Sequence, residues 1–120
     1  MRTLLGALAE SGIRIKASSF DAIALPAGVE VDFGDVTSVR AALAEMVFVE
    51  IKTANQSRVR EDFSGFFFAL TESEIEASIA LGRRHRVVLF NKLTGSMLWT
   101  SVPELLNRSR SRTIQVSLQL

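Results

Sequence analysis

Residues 46–52, Met46-Val47-Phe48-Val49-Glu50-Ile51-Lys52, form the strongest strand pattern in the chain. Side chains at i and i+2 of a strand point the same way. Met46, Phe48, Glu50 and Lys52 therefore share one face, and Val47, Val49 and Ile51 share the other. A carboxylate and an ammonium thus stand side by side on an otherwise apolar strand. Placing two charges there costs free energy unless they are paired or bind something. A second carboxylate from a neighbouring strand would complete a site for a hard divalent cation, Mg2+ or Mn2+, which takes oxygen ligands. Lys52 would then orient or activate a metal-bound water.

Three acids compete for the second position. Asp21 sits in Ser19-Phe20-Asp21-Ala22-Ile23-Ala24, an apolar strand pattern where an acid is out of place. Asp32 and Asp35 are the alternatives. Asp35 lies 15 residues before Glu50 and Asp21 lies 29 before it. Spacing favours Asp35, but Asp35 has a good structural role as a helix cap. Local context makes Asp21 the first choice.

Outward from this strand, residues 1–10 carry Leu4, Leu5 and Leu8 at helical spacing, with Gly12 as a stop. Residues 13–17 alternate and predict a strand, as do residues 20–25. A turn at 26–28 leads to Val29, Val31 and Phe33, which alternate with acids and predict a hairpin partner. Asp35 caps a short helix through Ala44. Residues 55–64 are polar and predict a loop, and residues 65–70 predict a fully buried strand. Thr71-Glu72-Ser73-Glu74 is a capping box, opening a helix that runs to Leu81 and stops at Gly82. Residues 86–90 and 96–100 predict strands joined by a turn. Ser101-Val102-Pro103-Glu104 predicts a second capping box and a short helix to Asn107. Residues 107–112 predict a loop, and residues 113–120 a last strand with Ile114, Val116, Leu118 and Leu120 on one face. The tally is one α/β domain over residues 1–120, a central mixed sheet flanked by helices.

Composition removes several chemistries. The chain has 120 residues and no cysteine, so no disulfide scaffold, thiolate zinc site or cysteine nucleophile can form. His85 is the only histidine, which excludes multi-histidine metal sites. No apolar run reaches the roughly 18 residues that span a bilayer. Residues 1–12 lack the order of a signal peptide, and the expectation is a cytoplasmic domain with no membrane partner. Net charge is +1, from 14 bases and 13 acids, but the signs are segregated. Residues 61–82 hold five acids and no base, whereas residues 83–112 hold seven bases and one acid. Such a basic stretch could meet a phosphate backbone.

Further side chains have ordinary readings. Glu74 could approach the site as a further acid, although its capping box explains it; His85 could be a general base, but among arginines it reads as a surface residue; Trp99 and Phe66–Phe68 read as core. Asn55 and Gln56 stand where they could touch a phosphate, although loop polarity explains them. No glycine-rich phosphate loop is present.

The strand Phe48-Val49-Glu50-Ile51-Lys52-Thr53, preceded by Phe20-Asp21-Ala22-Ile23-Ala24, resembles the PD-(D/E)XK nuclease superfamily, the restriction-endonuclease-like fold. The continuation Phe66-Phe67-Phe68-Ala69-Leu70-Thr71-Glu72-Ser73-Glu74, then a helix, Gly82 and Arg86-Val87-Val88-Leu89-Phe90-Asn91, is similar to a branch often appended to helicases and restriction proteins. The resemblance covers residues 19–91. It implies a metal-dependent phosphodiesterase core, with Asp21 and Glu50 as metal ligands, the Ile51 carbonyl as a further ligand and Lys52 as the catalytic lysine. Glu10 loosely matches a position where some members place another acid. The proline of the family name is absent, Phe20 standing before Asp21, and Ile75 replaces the aromatic after the helix-start glutamate.

The expectation is therefore a Mg2+- or Mn2+-dependent endonuclease acting on DNA, with Arg58, Arg60, Arg83, Arg84 and Arg86 as backbone contacts. Recognition of a target would come from a partner, a second subunit or a further domain. The alternatives are a catalytically inactive nuclease-fold module that binds nucleic acid or protein, and a homodimerisation domain paired through residues 113–120.

Overall fold

The computed structural model describes residues 1–55, 58–113, 116 and 118–120. Among the described residues four strands form one mixed sheet in the order β1-β2-β3-β4. They are β1 (Ala22–Ala24), β2 (Val47–Ala54), β3 (His85–Asn91) and β4 (Met97–Thr100). Strand β1 runs antiparallel to β2, β2 parallel to β3, and β3 antiparallel to β4. The helices are α1 (Arg2–Glu10), α2 (Val36–Ala42), α3 (Glu72–Leu81) and α4 (Val102–Arg108). The parallel β2–β3 pair needs a crossover, and α3 lies on it.

Register assigns the two faces. Phe48, Glu50, Lys52 and Ala54 of β2 stand beside His85, Val87, Leu89 and Asn91 of β3. Both apolar clusters lie on this face. The first joins Phe48 to Leu4 and Leu8 of α1, Val39 of α2, and Ala77 and Leu81 of α3. The second joins Ala54, Val87 and Leu89 to Val59, Phe63, and Val102 and Leu105 of α4. The opposite face carries Val49, Ile51, Val88, Met97 and Trp99, which line a shallow apolar depression of about 220 Å3. Among the described residues no helix covers it, and Trp99 is 49% exposed. Its expected place in the core is thereby corrected: odd parity on β4 turns it away from both clusters.

The helix boundaries follow their caps. Asp35 accepts from the Thr37 N–H at 3.0 Å and opens α2. Thr71 and Glu74 form the full reciprocal capping box of α3. Gly82 ends that helix at φ +57°, a left-handed conformation that glycine adopts at little cost. The second expected box is half formed. Ser101 accepts from the Glu104 N–H at 3.3 Å, but the Glu104 carboxylate takes the Thr100 hydroxyl at 2.9 Å instead.

Three predicted strands are not strands. Residues 13–16 and 29–33 lie outside any ladder, and residues 66–70 do too. Residues 13–16, 29–32 and 66–70 still alternate in burial, whereas Phe33 is exposed. Ile13, Ile15, Val29 and Val31 pack against the first cluster, and Phe66, Phe68 and Leu70 against the second. Phe67 is 79% exposed, so this stretch is not fully buried. Left-handed Phe63 (φ 65°) and Gly65 (φ 88°) turn the chain just before it and keep it off the sheet. The expected strand over residues 113–120 lies partly outside the described residues. Its described members belong to no strand, and Val116 and Leu118 are exposed.

Candidate functional site

Glu50 and Lys52 project from β2 between the two apolar clusters, beneath the first turn of α3. Glu50 is 7% exposed, and its Oε1 lies 3.2 Å from Lys52 Nζ. Lys52 also reaches across to α3, where its Nζ stands 2.9 Å from Glu74 Oε2 and donates to Glu74 Oε1 at 3.1 Å. Glu74 Oε1 accepts the Thr71 N–H at 2.8 Å as well, closing the capping box. One ammonium thus serves two buried carboxylates, which leaves the cluster short of positive charge. Glu50 Oε2 is buried with no hydrogen-bond partner among the described residues.

Electrostatics follow from that imbalance. Burial, then the hydrogen bond and negative charge of Glu74, push the Glu50 carboxyl up to about 8, against the pull of Lys52. Burial pushes Glu74 upward too. Its hydrogen bonds with Glu50, Lys52 and Thr71 outweigh burial and hold it below the usual carboxylate range. Burial disfavours charge on Lys52, yet the two carboxylates overcome this and raise it. Two carboxylates this close titrate as a pair, so one proton resides on them near neutral pH.

Asp21 stands just before β1 and grips the backbone on either side of Glu50. Its N–H donates to the Val49 carbonyl at 2.8 Å, and its Oδ2 accepts from the Ile51 N–H at 2.8 Å. The β1 ladder ends at Val49, so the Ile51 backbone faces the β1 side beyond the last strand pair. Within a strand, the N–H and C=O of one residue point to the same side. The Ile51 carbonyl therefore faces the side on which Asp21 sits.

The other expected residues are dispersed. Asp32 and Asp35 are turn and cap residues, accepting from Gly34 and Thr37. Glu10 pairs with Arg40 at 2.8 Å and ties α1 to α2, away from the cluster. Arg58 and Arg60 are exposed just beyond the C-terminal end of β2. Arg83 and Arg84 occupy a 3-10 turn at the opposite end of the sheet, and Arg84 donates to the Leu43 carbonyl at 3.0 Å. Arg86 pairs in register with Val49, on the face away from Glu50. Asn55 is exposed past the end of β2, and Gln56 lies outside the described residues.

Two residues differ from their sequence readings. Glu74 is 2% exposed and belongs to the cluster as well as to its helix cap. His85 is 1% exposed rather than on the surface, because the parity of β3 turns it inward beside Phe48. Its Nε2 lies 3.4 Å from the Ser19 carbonyl, and burial lowers its pKa.

Among the described residues no group of three or more His, Cys, Asp or Glu is placed to hold a metal ion. The expected donor set is smaller, two carboxylates and a carbonyl, which suits a cation that keeps several of its waters. No helix among the described residues is long and apolar enough to cross a membrane. Comparison with protein-family models, with curated proteins and with solved structures finds no match to this chain.

Proposed function

We propose that the chain is a metal-dependent nuclease domain of the restriction-endonuclease-like type, hydrolysing phosphodiester bonds in DNA. The observation that carries this reading is the buried excess of carboxylate over ammonium, Glu50 and Glu74 sharing the one Lys52 ammonium. Two buried carboxylates set against one ammonium are costly. A proton or a cation relieves that cost, and the Asp21 carboxylate, which accepts from the Ile51 N–H next along the chain, supplies a second anionic donor. Asp21, Glu50 and the Ile51 carbonyl are oxygen donors of the kind a hard divalent cation takes and would hold Mg2+ or Mn2+. When bound, such an ion polarises a phosphoryl oxygen and lowers the pKa of a bound water.

The roles of the chain's own groups follow from their chemistry. Glu50 must lose its proton to act as a ligand. Asp21 fixes the backbone of residues 49–51, so the carboxylate of Glu50 and the carbonyl of Ile51 keep one relative placement. Lys52 presents three donors that can orient an attacking water and stabilise charge developing on the phosphate. Arg58 and Arg60, past the same end of β2, would contact the DNA backbone and add affinity without sequence preference. Arg83, Arg84 and Arg86 would extend that contact only if the duplex reaches the other end of the sheet.

A second reading rests on Lys52 being paired with two carboxylates at once. A closed ion cluster of this kind also suits a non-catalytic module that binds nucleic acid or protein. Nicking of supercoiled plasmid with Mg2+ or Mn2+ separates the two. The expected result is cleavage by the wild type and none by Lys52→Ala. Equal products from both proteins, or none from either, would count against the nuclease reading.

A further inference from the structure

We propose that Glu74 is a positioning residue for Lys52, holding the ammonium between α3 and β2 so that it does not close onto Glu50 alone. The inference rests on the nuclease reading and adds to it a residue from outside the aspartate, glutamate and lysine set. A lysine ammonium is a point charge on a flexible four-carbon stem, and nothing in its own geometry fixes where it stands. With Glu50 as sole partner it would neutralise the carboxylate proposed for the cation. Glu74 stands 2.9 Å from Nζ through Oε2, against 3.2 Å for Glu50 Oε1, and so competes for the charge from α3.

Helix capping does not account for this arrangement. A capping box needs one glutamate oxygen on the cap N–H, and Glu74 Oε1 supplies that at 2.8 Å. It does not need the residue to be 2% exposed, or an ammonium against its second oxygen. The chain contains its own comparison. Glu104 occupies the same position in the first turn of α4, after Ser101, yet it is exposed and bonds a neutral hydroxyl on Thr100. The first turn of α3 is distinguished by what lies beneath it, the Glu50 and Lys52 face of β2. The capping box then has a second consequence. By fixing Oε1 on the Thr71 N–H, it fixes the direction from which the carboxylate meets Lys52, which donates to that same oxygen.

The test is a resonance measurement joined to metal binding. The chain has three lysines, Lys16, Lys52 and Lys92, so the nitrogen-15 ammonium signals are few enough to assign by Lys52→Arg. In the wild type a slowly exchanging Lys52 ammonium signal is expected. A Lys52 signal that exchanges as fast as those of Lys16 and Lys92 would overturn the proposal without any variant. Glu74→Gln keeps the acceptor for the cap and removes the charge. It should shift or broaden the Lys52 signal, whereas Glu104→Gln should leave it alone. Calorimetric Mn2+ binding should survive in Glu74→Gln and be lost in Glu50→Ala, while plasmid nicking by Glu74→Gln falls roughly 10- to 100-fold. An unchanged Lys52 signal overturns the proposal. Loss of Mn2+ binding as complete as in Glu50→Ala overturns it as well, by making Glu74 a ligand. A wild type that nicks nothing sinks the nuclease reading alone, since the resonance still decides whether Glu74 holds Lys52.

Discussion

Glu50 is the residue on which the site's pH behaviour turns. Its carboxyl is raised from 4.5 to about 8, by burial first and by Glu74 second. An acid whose folded pKa exceeds its unfolded value binds more protons folded than unfolded. Stability is then lost as pH rises between those two values. His85 acts in the opposite sense and at lower pH. Burial lowers its pKa from 6.5, so stability is lost as pH falls below that value. Urea denaturation between pH 7 and pH 9 reads mainly Glu50, because His85 is neutral when folded and mostly neutral when unfolded there. Wild-type stability is expected to fall across that interval, and Glu50→Gln, which mimics the protonated form, should show a flatter profile. A flat wild-type profile would mean that the proton is not on this pair. The same residues show what sequence could and could not say. Glu50 and Lys52 were legible because a period of two puts them on one face whatever the neighbours are. Glu74 was legible as a cap and as an acid that could approach the site, but no local spacing says that the first turn of α3 crosses β2. His85 stands between Arg84 and Arg86 and reads as exposed, yet parity along β3 turns it into the core.

At the scale of elements, the capped helices were the most legible parts, because a cap is a local interaction. Asp35, Thr71 and Ser101 each open the helix expected of them. Alternation was less informative. Residues 13–16, 29–32 and 66–70 partly bury every second side chain without joining the sheet. Alternation reports one-sided burial, and a ladder needs in addition a free strand edge at the right place, which no short segment encodes. Asp21 illustrates the same limit from the other side. Its side chain replaces a ladder bond by accepting from Ile51, just where β1 ceases to pair with β2. The two capping boxes differ in a way that stability can read. Thr71 and Glu74 bond reciprocally, whereas the Glu104 carboxylate has left its box for Thr100. Thr71→Ala should therefore cost about 1 to 2 kcal/mol, within the usual range for an N-cap. Ser101→Ala should cost about 0.5 to 1 kcal/mol, at the weaker end of that range. Midpoints of urea denaturation for the two variants check the order, and a reversed order would show that the box at α3 is not closed in solution.

The whole molecule is asymmetric about its sheet. Every helix that packs on the strands does so on the face of Phe48, Glu50 and Leu89, and both apolar clusters lie there. The chain must bury Glu50, Lys52 and Glu74 between those clusters because the face that carries the strand pattern is also the face that α3 crosses. The sequence indicated a mixed sheet with helices, but not that the helices would lie to one side. Val49, Ile51, Val88, Met97 and Trp99 are as apolar as the residues opposite them, so composition does not distinguish the two faces. Stability can distinguish them. Leu89 and Trp99 stand on adjacent ladder positions of opposite parity, Leu89 paired with Leu98 and Trp99 with Val88. Leu89 is 1% exposed and Trp99 49% exposed. Removing a buried leucine forfeits its transfer free energy and leaves a cavity, so Leu89→Ala should cost about 2 to 5 kcal/mol. Trp99→Ser leaves no enclosed cavity and forfeits only the buried half of the ring, so it should cost less than Leu89→Ala, about 1 to 2 kcal/mol. Urea denaturation of both variants over a range of protein concentrations reads the difference. A large cost for Trp99→Ser that grows with concentration would mean that another chain covers this face. A small, concentration-independent cost leaves the sheet one-sided, with its chemistry and its core both beneath the helices.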